Sequence, residues 1–148
     1  MKKIWFFVAA VIACGVLFVQ AQTATPSFAT LTSRAYEQMV KENNNQIAVV
    51  MFTSSGCRPC LLAKKTLWPQ VVKKYEGNEN VKVFLFPTDK DQAASDGSIL
   101  YVSFGIQQTP TFAVLHNGFV EVAFTGFSAG KEQIIQDKIA EIVNKSHQ

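Results

Sequence analysis

The sequence predicts an α/β domain: a central mixed β-sheet flanked by helices on both faces. Three observations carry that expectation. Apolar runs of strand length alternate with helical periodicity through the first half, an Asn-Gly pair joins two strand-like runs in the second half, and an amphipathic stretch closes the chain. With 148 residues, 48% hydrophobic and 17% charged, the composition suits one domain with a well-filled core.

Residues 1–21 have the layout of an export signal: Met1-Lys2-Lys3, an apolar run over 4–19, and Val19-Gln20-Ala21, whose small residues suit cleavage after Ala21. The mature chain would then start at Gln22 and be periplasmic or secreted. Two other readings stay open. The apolar run is only slightly shorter than a comfortable membrane span, which allows an uncleaved anchor holding the domain in the periplasm. Val11-Ile12-Ala13-Cys14 also resembles a lipoprotein box, in which Cys14 would be acylated. Without Lys2 and Lys3 the 14 basic residues fall to 12, against 11 acidic ones. That near balance, with no basic stripe, argues against nucleic-acid binding. No dimerisation segment stands out, so a monomer is the default.

Residues 22–31 (QTATPSFATL) are small, polar and proline-bearing, and read as a flexible lead-in to a domain over 32–148. Tyr36, Met39 and Val40 fall at helical spacing over 32–42, and Asn43-Asn44-Asn45 stops that helix. The apolar run 47–52 (IAVVMF) fits a strand buried on both faces. Beyond it, Leu61, Trp68, Val72 and Tyr75 form one helical stripe widened by Leu67 and Val71, with Lys64, Lys65, Lys73 and Lys74 facing outward. Pro69 lies inside this helix and should kink it, because it removes a backbone donor and clashes with the preceding turn. Residues 81–86 (VKVFLF) give a second strand closed by Pro87, and 98–104 a short helix. Residues 111–115 and 119–124 form a hairpin around Asn117-Gly118, since both central residues of that turn take positive φ. Strand alternation places Val120, Val122 and Phe124 on the core face and Glu121 in water. Ile135, Ile139, Ile142 and Val143 mark the buried face of a last helix over 129–145.

The chemistry is concentrated in Cys57-Arg58-Pro59-Cys60. Once Cys14 leaves with the leader these are the two remaining cysteines, too few for a stapled scaffold and closing a loop too short to stabilise much. They stand where the first strand passes into the long helix. Spacing i, i+3 puts both side chains on one helical face within disulfide reach. The unpaired N–H groups and positive dipole end of a helix start favour a thiolate at Cys57, making it the attacking sulfur, with Cys60 as the resolving thiol. Pro59 sits in the first turn without loss, its missing donor having no partner there. A static bridge is the bland alternative. A zinc or copper site is a weaker one, since about four ligands are needed and His116 and His147 are distant and unpaired. No metal or organic cofactor is expected.

A strand-to-helix C-x-x-C at Cys57 to Cys60, Thr109-Pro110 opening a strand, and Thr111-Phe112-Ala113-Val114-Leu115-His116-Asn117-Gly118 followed by Gly126 together resemble the thioredoxin superfamily over nearly all of the mature chain. The resemblance implies a thioredoxin fold, a cis peptide bond at Pro110 lying against the redox pair, and a role for Thr109 in hydrogen bonding a bound substrate strand. It further implies a protein thiol–disulfide oxidoreductase whose partners are exported cysteine-containing proteins and an upstream redox protein, which a membrane could hold. Thioredoxins proper carry Trp-Cys-Gly-Pro-Cys-Lys and a buried aspartate in the preceding strand; this chain has Gly56, Arg58 and Leu61 at the motif positions and Met51 at the acid position. The proton acceptor for Cys60 and the direction of electron flow are therefore open. The fixed charge of Arg58 lowers the Cys57 pKa and stabilises the reduced form, so the expected potential lies above the about −270 mV of thioredoxin, a value that equilibration with glutathione measures. Two rival functions remain: a thioredoxin-fold binding or chaperone module with incidental cysteines, and a dedicated reductant of one client protein.

Overall fold

The computed structural model describes residues 27–42 and 45–146. The export segment with Cys14, the first part of the lead-in, Asn43, Asn44 and His147 lie outside the described residues. In chain order the elements are α1 (Ser33–Glu42), β1 (Ile47–Thr53), α2 (Arg58–Lys65), α3 (Leu67–Lys74), β2 (Val81–Pro87), a 3-10 turn (Thr88–Lys90), α4 (Leu100–Ser103), β3 (Thr111–His116), β4 (Phe119–Thr125) and α5 (Glu132–Ser146). The sheet order is β2-β1-β3-β4. β1 runs parallel to β2 and antiparallel to β3, and β4 returns antiparallel to β3. This is the mixed sheet with helices on both faces that the sequence predicts.

β1 (IAVVMFT) is buried at every residue because it is central in the sheet and covered on both sides. Its alternation divides the core into two layers. Ile47, Val49 and Met51 pack with Ala63, Leu67, Trp68 and Val71 of α2 and α3 and with Ile135, Ile139 and Val143 of α5. Ala48, Val50 and Phe52 pack on the other face with Tyr36 of α1, Phe86 and Leu100 of α4.

Pro69 divides the long helix as expected, and the division falls one turn earlier, at Thr66 (φ −114°, ψ −62°). As the third residue of α3, Pro69 occupies a position where a helix leaves its backbone donor unpaired in any case. Side chains take up carbonyls around the break: Thr66 Oγ1 donates to Leu62 O (3.1 Å) and Gln70 Nε2 to Thr66 O (2.8 Å). The division also alters the buried stripe. Cys60, Ala63, Leu67, Trp68 and Val71 face the core, whereas Leu61, expected there, is exposed.

Two further expectations change. Val122 pairs with Val114 but Val120 pairs with Leu115, so Glu121 is an extra residue in β4. One inserted residue reverses the faces beyond it. Val120 therefore joins the α1 layer while Val122 and Phe124 join the α5 layer. The described end of the lead-in is also part of the fold. Leu31 N–H donates to Leu85 O and Leu85 N–H to Ala29 O, both at 2.8 Å, and the Leu31 side chain is buried. These bonds cover the outer edge of β2. The hairpin turn has the expected backbone, with Asn117 at φ 51° and Gly118 at φ 83°.

Trp68 is fully buried in the α3 layer with its ring centroid 6.1 Å from that of Phe112. Trp68→Ala should lower unfolding free energy by about 3–5 kcal/mol in urea titration, whereas Leu61→Ala should change it by less than about 0.5 kcal/mol. Equal losses would contradict the stripe described here.

Candidate functional site

Three segments meet at the edge of the sheet where β1 and β2 end and β3 begins. The first is the loop from Ser54 to Cys57. Gly56, at φ 76°, takes a left-handed conformation that a side chain resists, and the turn sets Cys57 at the N-cap of α2. Cys57 N–H donates to Ser54 O at 3.4 Å. Cys57 has extended dihedrals (φ −70°, ψ 98°), and its Sγ accepts the backbone N–H of Cys60 at 3.2 Å, occupying the place that a serine or aspartate oxygen takes at other helix starts. That bond and the helix dipole stabilise negative charge on Cys57 Sγ when the pair is open.

Cys57 and Cys60 are joined by a disulfide with Cα atoms 5.2 Å apart. The two sulfurs are not equivalent. Cys57 is half-buried, while Cys60 is 1% exposed and lies in the face of α2 that packs on the sheet. Arg58 and Pro59 between them are exposed, and among the described residues Arg58 pairs with no carboxylate.

The second segment is the approach to β3. The Thr109–Pro110 peptide bond is cis. Pro110 is buried and its carbonyl accepts Gly126 N–H at 2.9 Å, tying the approach to the end of β4. Thr109 is half-buried, and its Oγ1 lies 2.8 Å from Ser54 Oγ. That contact links the Thr109-Pro110 corner to the cysteine loop. The backbone N–H and C=O of Thr109 have no hydrogen-bond partner among the described residues.

The third segment is the 3-10 turn after β2. Thr88 Oγ1 donates to Thr53 O at 3.1 Å. The Asp89 carboxylate accepts both the backbone N–H of Ser55, at 3.1 Å, and the Ser55 hydroxyl. These bonds, the side-chain one foremost, hold the Asp89 carboxyl below its ordinary 3.8.

The structure thus joins Cys57 to Cys60 and links Thr109 to their loop through Ser54. Ser54, Ser55 and Asp89 are members of the site that the sequence reading omits. Their signal was faint: two serines and a glycine before a cysteine look like ordinary turn residues, and Asp89 becomes relevant only because parallel pairing sets Thr53 opposite Pro87. Met51 is buried in the apolar α3 layer, and β1 supplies no titratable side chain. His116 lies at the far end of β3, its Nδ1 3.8 Å from Glu121 Oε1. Among the described residues no group of three or more His, Cys, Asp and Glu is arranged to hold a metal ion.

A family model described as Thioredoxin matches residues 27–141. Among solved structures, thioredoxin f2 of Chlamydomonas reinhardtii aligns over 82% of this chain and 97% of its own, with 21% identity and a TM-score of 0.57. The germline-specific thioredoxin Deadhead of Drosophila melanogaster aligns over 78% and 98%, with 19% identity and a TM-score of 0.57. Fasciola hepatica thioredoxin aligns over the same shares with 19% identity and a TM-score of 0.56. At these identities the structures show a shared fold. No match was found among curated proteins.

Because its folded-state pKa is depressed, Asp89 favours the native state above about pH 4, and that contribution fades as pH falls through the native value. Following the Asp89 carboxyl carbon by NMR against pH should give a midpoint below 3.8, and Ser55→Ala should raise it toward 3.8. A midpoint unchanged by Ser55→Ala would show that this hydrogen bond does not hold the acid down.

Proposed function

This chain belongs to the thioredoxin family, and from that premise we propose that it is an exported thiol–disulfide oxidoreductase that exchanges disulfides with protein substrates through Cys57 and Cys60. The observation that carries the reading is the asymmetry of the pair: a half-buried Cys57 at a helix start, bonded to a buried Cys60 one turn on. A static bridge needs no such inequality, whereas exchange chemistry needs one sulfur that meets partners and one held back from them.

In the reducing direction the open Cys57 thiolate attacks one sulfur of a partner disulfide. A mixed disulfide forms and the first partner sulfur leaves as a thiolate. Cys60 gives its proton to that thiolate and attacks Cys57 Sγ, closing the Cys57–Cys60 bond and releasing the second partner sulfur as a thiolate, which takes a proton from solvent. Two electrons pass from the pair to the partner, whose two sulfurs end with the proton of Cys60 and one from solvent. Oxidation of a partner dithiol is the same sequence reversed, with an upstream redox protein resetting the pair. Since β1 brings no carboxylate beneath Cys60, the departing partner thiolate is the base this reading assigns to it. The reaction as written uses neither metal nor organic cofactor.

An extended client segment would lie along Thr109, whose backbone N–H and C=O, without a partner among the described residues, suit pairing with a strand. Export would place the enzyme in the periplasm or outside the cell, where clients carry disulfides.

Cys60→Ala should convert the transient mixed disulfide into a stable one. Expressed in its native compartment, this variant should accumulate covalent adducts at Cys57 that reductant releases and that Cys57→Ala does not form. Absence of adducts, with partner binding unchanged by either substitution, would favour a binding module with incidental cysteines.

A further inference from the structure

The solvent side of α2 has a composition that exchange chemistry alone does not require. Leu61 is 55% exposed and Leu62 38% exposed, adjacent to each other and directly after the buried resolving cysteine. Single exposed leucines are unremarkable. These two differ in position. Leu61 is four residues beyond Cys57, its N–H donates to Cys57 O at 3.1 Å, and side chains at that spacing sit about 5–6 Å apart at Cβ. Arg58, Leu61, Leu62 and Lys65 follow i, i+3, i+4, i+7 spacing, so they share one stripe with a cation at each end. Arg58 and Lys65 are also exposed.

The charge around this stripe is of one sign. Residues 54–75 contain Arg58, Lys64, Lys65, Lys73 and Lys74 and no Asp or Glu. None of Arg58, Lys64 and Lys65 forms an ion pair among the described residues. The nearby acid, Asp89, is bonded to Ser55. An apolar surface bracketed by unpaired cations is complementary to an apolar side chain flanked by carboxylates.

We propose that the Arg58-Leu61-Leu62-Lys65 stripe is the client-selecting surface of the redox site, and that it takes polypeptides bearing an apolar side chain and acidic residues beside their reactive cysteine. The stripe begins beside Cys57, with Leu61 N–H bonded to Cys57 O. A client held as a strand at Thr109 would be read a second time there, by the residues flanking its cysteine. This inference rests on the oxidoreductase reading above.

The test compares reduced wild-type protein with Leu61→Ser/Leu62→Ser and with Lys65→Glu. Three oxidants are used: a disulfide peptide with Leu and Glu beside the cysteine, the same peptide with Ser and Lys there, and bis(2-hydroxyethyl) disulfide, which has neither an apolar side chain nor a carboxylate for the stripe to select. Wild-type protein should favour the first peptide. The double variant should lose about tenfold in kcat/KM for it, chiefly through KM, and stay within about twofold for the small disulfide. Lys65→Glu should abolish the preference for the acidic peptide and flatten its salt dependence. That variant keeps the proposal testable should the double variant fold poorly.

Equal losses with the small disulfide, or unchanged peptide rates, would overturn the selecting role while leaving the oxidoreductase intact. Unchanged peptide rates with lost binding to anionic phospholipid vesicles would reassign the stripe to a membrane surface. Wild-type protein inert toward all three disulfides would overturn both readings together.

Discussion

Burial of β1 on both faces is the constraint from which the remaining geometry follows. A strand covered above and below and paired on both sides has no room for a polar side chain, and β1 has none until Thr53. Polar residues must then gather where the strand leaves the sheet. The parallel partner β2 ends at the same edge and the antiparallel partner β3 begins there, which brings Ser54, Asp89 and Thr109 to one place from segments far apart in sequence. Sites at the carboxyl ends of strands are a general property of sheets wound in this way. Here hydrogen bonds from Ser54 to Thr109, from Ser55 to Asp89 and from Thr88 to Thr53 join the three segments into one edge.

The same constraint makes the two sulfurs unequal. α2 starts directly at this edge, so its N-cap residue Cys57 keeps some exposure while Cys60, three residues on, is buried. Cys60 is buried at i, i+3, i+7 spacing with Ala63 and Leu67, which pack with Ile47, Val49 and Met51. Apolar packing thus sets which cysteine a partner meets, and the N-cap bond from Cys60 N–H sets which sulfur carries charge most readily. The helix breaks at Thr66, with Cys60 and Ala63 buried before the break and Leu67, Trp68 and Val71 after it.

The sequence made the central strand, the hairpin and both cysteines legible because each has a local signature: an unbroken apolar run, an Asn-Gly pair, an i, i+3 spacing. What it left out depends on pairing between distant segments. Asp89 reads as a loop acid until strand register sets Pro87 beside Thr53. The bulge at Glu121 is invisible to alternation, which assumes one residue per step: Val120, Val122 and Phe124 all pack on the core, but Val120 does so on the opposite face of the sheet. A single helical stripe through 61–75 sets Leu61 in the core, but the helix breaks at Thr66 and Leu61 is exposed. Its exposure is what turns it from a packing residue into a candidate for client recognition.

The central claim is that these two cysteines are chemically inequivalent, and alkylation of the fully reduced protein tests it most directly. With limiting iodoacetamide near neutral pH, peptide mass spectrometry should find the label on Cys57, with Cys60 modified only after unfolding. Equal labelling of both, or faster labelling of Cys60, would contradict the account.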